Sequence, residues 1–327
     1  MDAPVRPADA EIAVEVDPDF RRDVLAGLAA PTRAISARWF YDRRGSELFE
    51  EITRLAEYYL TRADAALLQR HAPEVAEVAG AGRAVVEFGS GSSAKTPILL
   101  RAVAPSAYVP IDISGDFLRH SAAELQALFP ELPILPVEAD FMAPVTLPEA
   151  VEAQPKLGFF PGSTIGNLVA GTAVDLLRRM KATLGLGSWL LIGMDRVKDP
   201  QILLRAYDDA AGVTAAFNLN LLERINRELG GTIPIDAFRH RPLWNDRLAR
   251  IEMHLEAIRD VSFTVDSATF AMRAGETIHT ENSHKYGPRD ARLLLKAGGW
   301  EAVREWTDEA ESFALILAEA EEPRFAP

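Results

Sequence analysis

The sequence contains no cysteine. That removes disulfide staples, thiolate metal sites and a cysteine nucleophile together. Six histidines are scattered along 327 residues with no HExxH arrangement, and the expectation is a protein that uses no metal. No stretch approaches the roughly 20 apolar residues that span a bilayer. The opening MDAPVRPADAEIAVEVDPDF also lacks the basic start and apolar core of a signal peptide, so a cytoplasmic protein is expected. Basic residues are in short supply: 35 Lys and Arg against 48 Asp and Glu give a formal net charge of −13. Nucleic-acid binding draws most of its affinity from cations on phosphates. The expected partner is therefore a small molecule, with no nucleic acid and no membrane, and a monomer is the simplest assembly.

With 48% hydrophobic and 25% charged residues, the chain has ordinary globular composition and enough length for one large domain or two modest ones. From about residue 62 to 196, helical patterns such as AALLQRHAPEVAEVAG alternate with the short apolar runs AVVEF, AYVPIDI, LPILPVEAD, KLGFF and SWLLIGM. This is the rhythm of a parallel sheet covered by helices, an α/β Rossmann-like architecture. Residues 199–230 instead read as helices ending at Gly230-Gly231, and RIEMHLEAIRD with SFTVDSATFAM suggests an antiparallel pair. PRDARLLLKAGGW reads as a glycine-capped helix, and WEAVREW and SFALILAEA as two closing strands. The predicted division is a Rossmann-like domain from 62–196 and 287–327, and a smaller α+β lobe from 1–61 and 197–286.

The first chemical motif is VVEFGSGSSAKTPILL, residues 85–100. A strand running through Glu87 into Gly89 and Gly91 lets backbone approach a ligand closely, because neither glycine carries a side chain. Gly89-Ser90-Gly91-Ser92-Ser93-Ala94 has alanine at the third position of GxGxxG, so spacing alone leaves an NAD reading open. The acidic Glu87 just before the glycines fits S-adenosylmethionine better. About 20 residues on, Asp112 ends AYVPIDI, where a carboxylate can accept two ribose hydroxyls. Asp140 of EADFM ends a third run and suits an adenine amine. The competing reading makes Asp112 and Asp140 helix caps.

EYYLTRADAALL, VVEFGSGSSAKT, FPGSTIGNL, AYDDAAGVTAAFNLNLLERINREL, IEMHLE and IHTENSHKY together resemble the ergothioneine-pathway L-histidine Nα-methyltransferases. The resemblance runs from about residue 38 to the C terminus. It implies a class I methyltransferase sheet with a substrate lobe, and transfer of three methyl groups from S-adenosylmethionine to the α-amine of histidine, giving hercynine. This chain departs from many relatives in EYYLTR, where they carry proline after the tyrosines, and in Asn282 and His284, which flank Ser283 where some carry small apolar residues. Any further step of ergothioneine assembly is expected to fall to a separate protein. The competing readings are a silent amino-acid-binding homologue and a methyltransferase for another amine or ring nitrogen.

FFPGSTIGN follows an expected strand at the edge where ligands of such sheets sit, so Asn167 is placed to face a substrate; capping a turn is its other reading. The resemblance implies that Asn167 and Tyr207 hold the amino acid's α end. It implies that Glu281 and Ser283 take the two imidazole nitrogens, with Met253 lining the same pocket. Tyr58 of EYYLTR is the candidate catalytic group beside the amine, with Tyr59 a packing neighbour. For the cofactor the resemblance adds Tyr41, Lys95 and Phe141; Lys95 could meet a carboxylate at the start of its helix or be an exposed lysine. Gly162 and Gly166 read as backbone necessities. His279 and His284, five apart around Glu281, invite a metal reading that no third ligand in the sequence supports.

Overall fold

The structure, a computed structural model, describes residues 16–91 and 93–322. The expectations that touch residues 1–15, Ser92 and 323–327, including the signal-peptide reading of the first residues, lie outside the described residues. Among the described residues no helix is long and apolar enough to cross a membrane.

Five strands come first: β1 (Ala84–Phe88), β2 (Tyr108–Asp112), β3 (Val137–Glu138), β4 (Lys156–Phe160) and β5 (Trp189–Asp195). They pair in parallel, β1 with both β2 and β4, β3 outside β2, and β5 outside β4. Every residue of β1, β4 and β5 is buried, as continuous apolar runs must be when helices cover both faces. Those covers include helices Tyr59–Ala79, Thr96–Val103, Gly115–Leu128 and Ala170–Leu184. The third run is shorter than its apolar pattern suggests. Pro133 and Pro136 of LPILPVE lack the N–H a ladder needs, so the strand shrinks to Val137–Glu138, with one isolated bridge from Ile134 to Tyr108.

Strand order turns back at β1 and β4, so the carboxyl ends of these neighbours flank the crevice where such sheets take ligands. The chain leaves the sheet after β5 through helices Pro200–Ala206 and Val213–Leu229, the latter stopped by Gly230 in the left-handed region. It then builds β6 (Phe238–Asn245), β7 (Arg250–Ala257), β8 (Val261–Val265), β9 (Ala268–Met272) and β10 (Thr277–His284). The helix Pro288–Ala297 returns to β11 (Trp300–Thr307) and β12 (Phe313–Ala320). The closing strands form as expected, β12 inserting antiparallel between β5 and β11. The seven-stranded order is β11-β12-β5-β4-β1-β2-β3.

One pairing differs from expectation. RIEMHLEAIRD does not pair with SFTVDSATFAM: β7 lies between β10 and β6, and β8 and β9 form their own hairpin. Asp266 at φ 53 supplies the reversal between Val265 and Ala268. A two-residue closure costs the least chain entropy, so the local partner wins. The missing partner of β7 is FRHRPLWN, whose Pro242 masks it as a strand; β6 is an edge, where proline is tolerated.

Residues 18–53 pack on the second lobe. Phe40 meets Phe217 at 4.6 Å, Arg224 donates to the Trp39 carbonyl at 2.9 Å, and the Ile35 N–H donates to the His279 carbonyl at 2.9 Å. Tyr41 is held by its neighbour. Asp42 accepts from the Gly45 N–H at 2.7 Å, from Asn220 at 2.8 Å and from Arg227 at 2.5 Å. One apolar core then runs from Val85, Leu157 and Leu191 of the large sheet into Phe217, Leu221 and Leu255 of the smaller lobe.

The turn that presents Tyr41 needs Gly45, where an added Cβ would lie 1.7 Å from the Phe40 carbonyl oxygen. Gly45→Ala is expected to destabilise the protein by about 2 kcal/mol or more, read as a lower urea midpoint. An unchanged midpoint would contradict this packing.

Candidate active site

The glycine loop leaves β1 with Gly89 at φ +72 and Gly91 at φ +49, conformations that side chains resist. A Cβ at Gly89 would stand 3.1 Å from the Phe141 ring, whereas nothing lies within 4 Å of one at Gly91. Gly89 thus admits Phe141, which also meets Phe160 edge-on at 5.8 Å, and Gly91 borders open space. The Gly91 N–H donates to Asp112 Oδ2 at 3.0 Å and the Ser114 N–H to Oδ1 at 2.9 Å. The cap position of the following helix belongs to Ser114. Asp112 therefore ties β2 to the loop while each oxygen keeps acceptor capacity. Asp140 accepts from the Met142 N–H at 2.8 Å and from Arg38 at 3.3 Å.

Glu87 lies beneath the loop. It accepts from Thr96 at 2.7 Å and Tyr108 at 2.6 Å, and burial pushes its carboxyl up to about 7 against those donors. Lys95 does not stand free at the helix start. Its ammonium is paired with the fully buried Asp64, whose Oδ2 also accepts the Gly162 N–H at 2.8 Å. This contact ties the glycine loop, the helix Tyr59–Ala79 and the FPGSTIGN loop to one carboxylate.

A second group gathers around three tyrosines. Tyr41, Tyr58 and Tyr207 all have phenols pushed up by burial, and all three feel the Glu281 carboxylate; Tyr41 feels Asp112 as well. Tyr58 meets Tyr207 edge-on at 6.2 Å and Phe49 at 6.4 Å, while Tyr41 meets Phe49 at 5.7 Å and Phe217 at 5.8 Å. Glu281 is opposite Met253 in the β10–β7 register, just after a bulge that follows His279. Burial pushes its carboxyl up to about 7, with Lys285 pulling the other way. Among the described residues its carboxylate has no hydrogen-bond partner, and neither has the half-buried carboxamide of Asn167, in the turn Thr164–Asn167.

Ser283 and Tyr207 were expected at opposite ends of a substrate. The structure joins their hydroxyls at 2.6 Å. The Tyr207 backbone is fixed by His240, which donates from Nε2 to its carbonyl at 2.7 Å and pairs through Nδ1 with Asn218 at 2.8 Å. FPGSTIGN seats against β10: His284 donates from Nδ1 to the Gly166 carbonyl at 2.8 Å, and a Cβ on Gly166 would fall 2.9 Å from the His284 carbonyl oxygen. Gly162, at φ +77, and Gly166 thus serve the backbone as expected.

Sequence reasoning missed the network behind this wall. Asp195, at the carboxyl end of β5, and Lys285, just after β10, form an ion pair of 2.8 Å with both side chains fully buried. Tyr59 donates to Asp195 at 2.8–2.9 Å, and Lys198, pulled down to about 8 by burial, reaches the same carboxylate. The Asp195 N–H donates to Ser163 at 2.9 Å. The one available signal was an acidic residue closing an apolar strand, LLIGMD. Its partner lies 90 positions away, and no local pattern connects them.

His279 is not joined to His284. It stacks on His254 at 4.7 Å, and with Glu252 they form a group whose potential metal-ligand atoms lie within 4.8 Å of one another. Burial would raise the Glu252 carboxyl, but Arg250, Asn245 and His254 hold it at about 2. Its Oε1 already accepts from Asn245 at 2.9 Å and Arg250 at 2.8 Å.

Sheet order, glycine loop and strand-end carboxylates define an α/β enzyme that takes a nucleoside-bearing ligand at the carboxyl edge of its sheet. Residues 20–320 match the family described as histidine-specific methyltransferase, SAM-dependent. The chain is 41% identical over 310 residues to a histidine N-alpha-methyltransferase of Mycolicibacterium smegmatis, covering 91% of this chain and 94% of that protein. It matches the protein of the same name from Mycobacterium tuberculosis at the same identity and coverage. It is 29% identical to ergothioneine biosynthesis protein 1 of Neurospora crassa, over 88% of this chain and 33% of that longer protein. The chain belongs to the histidine-specific, S-adenosylmethionine-dependent methyltransferase family.

A carboxyl whose folded pKa of about 7 exceeds its ordinary 4.5 destabilises the fold as it ionises, between those two pH values and through the upper one. Glu281→Gln removes that cost. It is expected to raise Tm at pH 8 by about 2–4 °C and to have little effect at pH 5. An equal shift at both pH values would contradict the burial of an unpartnered carboxyl.

Proposed function

We propose that this chain transfers three methyl groups from S-adenosylmethionine to the α-amine of L-histidine, forming hercynine, the first step towards ergothioneine. The observation that carries this reading is Glu281, whose carboxylate has no hydrogen-bond partner among the described residues and whose charge is felt by the buried phenols of Tyr41, Tyr58 and Tyr207. A half-buried acceptor of this kind suits an imidazole N–H and penalises an apolar side chain, which would cover it and leave it unpaired.

The residues present fit the cofactor. Among the described residues the buried hydroxyl of Ser90 in the glycine loop has no partner, and Gly91 borders open space. Gly89 and Gly91 would let the backbone approach, Asp112 would take the ribose hydroxyls, and Asp140 with Phe141 would hold the adenine. Tyr41 would bridge cofactor and substrate. Lys95 would meet the carboxylate end from its seat on Asp64, and Glu87 would brace the loop from below. When bound, the cofactor supplies an electrophilic methyl group on a sulfonium.

The chain's own task is chiefly positioning, which can contribute roughly 7–11 kcal/mol to such a displacement. Asn167, whose amide can donate or accept, would orient the substrate carboxylate, while Tyr207, its hydroxyl bonded to Ser283, would stand on the ring side. Tyr58 would face the amine with its hydroxyl and ring, attracting the positive charge that accumulates with each methyl. Glu281 and Ser283 would read the ring, with Met253 beside them. The amine must lose a proton before each transfer, and the series ends when no lone pair remains.

Mass spectrometry of histidine incubated with the enzyme and S-adenosylmethionine is expected to show the trimethylated product, with fragmentation placing all three methyl groups on the α-nitrogen. Saturable histidine binding without product would overturn the reading. Glu281→Ala is expected to weaken histidine binding about 100-fold, from loss of a charged hydrogen bond in a buried site, with cofactor binding nearly unchanged by calorimetry. Equal losses for both ligands would contradict the pocket. Tyr58→Phe is expected to alter the mono-, di- and trimethyl product distribution; an unchanged distribution removes its role.

A further inference from the structure

Lys285 touches Asp195 of the large sheet, Ser283 and Tyr207 at once. Its ammonium, on a fully buried side chain, lies 2.8 Å from Asp195 Oδ2, 2.8 Å from Ser283 Oγ and 3.2 Å from Tyr207 Oη. An ammonium has three protons and no lone pair, so these contacts use it completely.

That fixes the polarity of the two hydroxyls. Both must accept from Lys285, and the 2.6 Å contact between them consumes one of their two protons. A phenol is the stronger donor of the pair, so Tyr207 donates to Ser283. Ser283 Oγ then accepts from both Lys285 and Tyr207, its lone pairs are filled, and its own proton is what it has left to offer. Glu281 lies two residues away on β10 and therefore on the same face, where it offers the complementary free acceptor. The wall presents one donor beside one acceptor.

We propose that Lys285 is a positioning residue for side-chain specificity: by filling acceptor sites on Ser283 and Tyr207, it makes Ser283 an obligate donor, so the site selects a neutral ring carrying one N–H and one bare nitrogen. This rests on the proposed reading of the pocket as a histidine site. It extends that reading from which residues face the ring to which proton arrangement of the ring is accepted.

The test compares kcat/KM for histidine with that for 3-(pyrrol-2-yl)alanine and 3-(pyrrol-3-yl)alanine, whose rings keep an N–H and lack the bare nitrogen. The variant is Asp195→Asn/Lys285→Met, which removes both buried charges together. Its fold is checked by circular dichroism and by binding of S-adenosylhomocysteine. The wild-type enzyme is expected to favour histidine by about 100-fold or more, because the pyrroles leave the Ser283 proton unpaired. In the variant that preference is expected to fall at least about tenfold, as Ser283 regains an acceptor site. A folded variant that loses turnover but keeps the wild-type ratio would overturn the proposal and give Lys285 a purely structural role.

A second measurement needs no variant. Ring-¹⁵N-labelled histidine bound to the wild-type protein with S-adenosylhomocysteine is expected to show one protonated and one bare nitrogen at pH 7.5. Two protonated nitrogens would overturn the proposal. Failure of wild type to methylate histidine at all would instead sink the underlying reading, so the two failures are distinguishable.

Discussion

The ion pair between Asp195 and Lys285 is the contact on which the site depends. It joins the carboxyl end of β5 in the large sheet to the segment just after β10 in the smaller lobe. Removing two charges from water costs several kcal/mol for each ion, and such a pair persists only if further hydrogen bonds satisfy it. Here they do. Tyr59, Lys198 and the Arg196 N–H complete the carboxylate, while Ser283 and Tyr207 complete the ammonium. The stabilising network thus includes the hydroxyls proposed to face the substrate, which ties their geometry to lobe docking.

A second carboxylate does similar work nearer the cofactor loop. Asp64 holds Lys95 on one side and the Gly162 N–H on the other, so the loop that would bind the cofactor and the loop that carries Asn167 share an anchor. With the two lobes also sharing an apolar core, the distance between the glycine loop and the Glu281 wall is set by packed structure rather than by a flexible linker. A reaction that relies on alignment more than on acid–base chemistry needs that rigidity.

Much of the large sheet was legible because its signals are local. AVVEF, KLGFF and SWLLIGM are buried on both faces and read as continuous apolar runs, and Gly89, Gly91 and Asp112 follow strand ends where ligands gather. The smaller lobe was less legible. Pro242 concealed β6, and SFTVDSATFAM paired within itself because its own turn offered the nearest partner. Tyr41, Tyr58, Glu281 and Ser283 were named through resemblance rather than through local pattern, since an isolated tyrosine or a glutamate on a strand ordinarily reads as packing or solvated charge. Asp195, Lys285 and Asp64 escaped altogether. Their chemistry arises only when segments 90 or more positions apart, or on different elements, are brought together by the fold.

On the proposed reading the smaller lobe holds the ring while the large sheet aligns the amine with the methyl donor. A crystal structure of the protein with histidine and S-adenosylhomocysteine tests it most directly. The expected result is an imidazole between Glu281 and Ser283, with the α-amine beside Tyr58 and directed at the cofactor sulfur. An imidazole lying elsewhere, with Glu281 and Ser283 making no contact to it, would contradict the account.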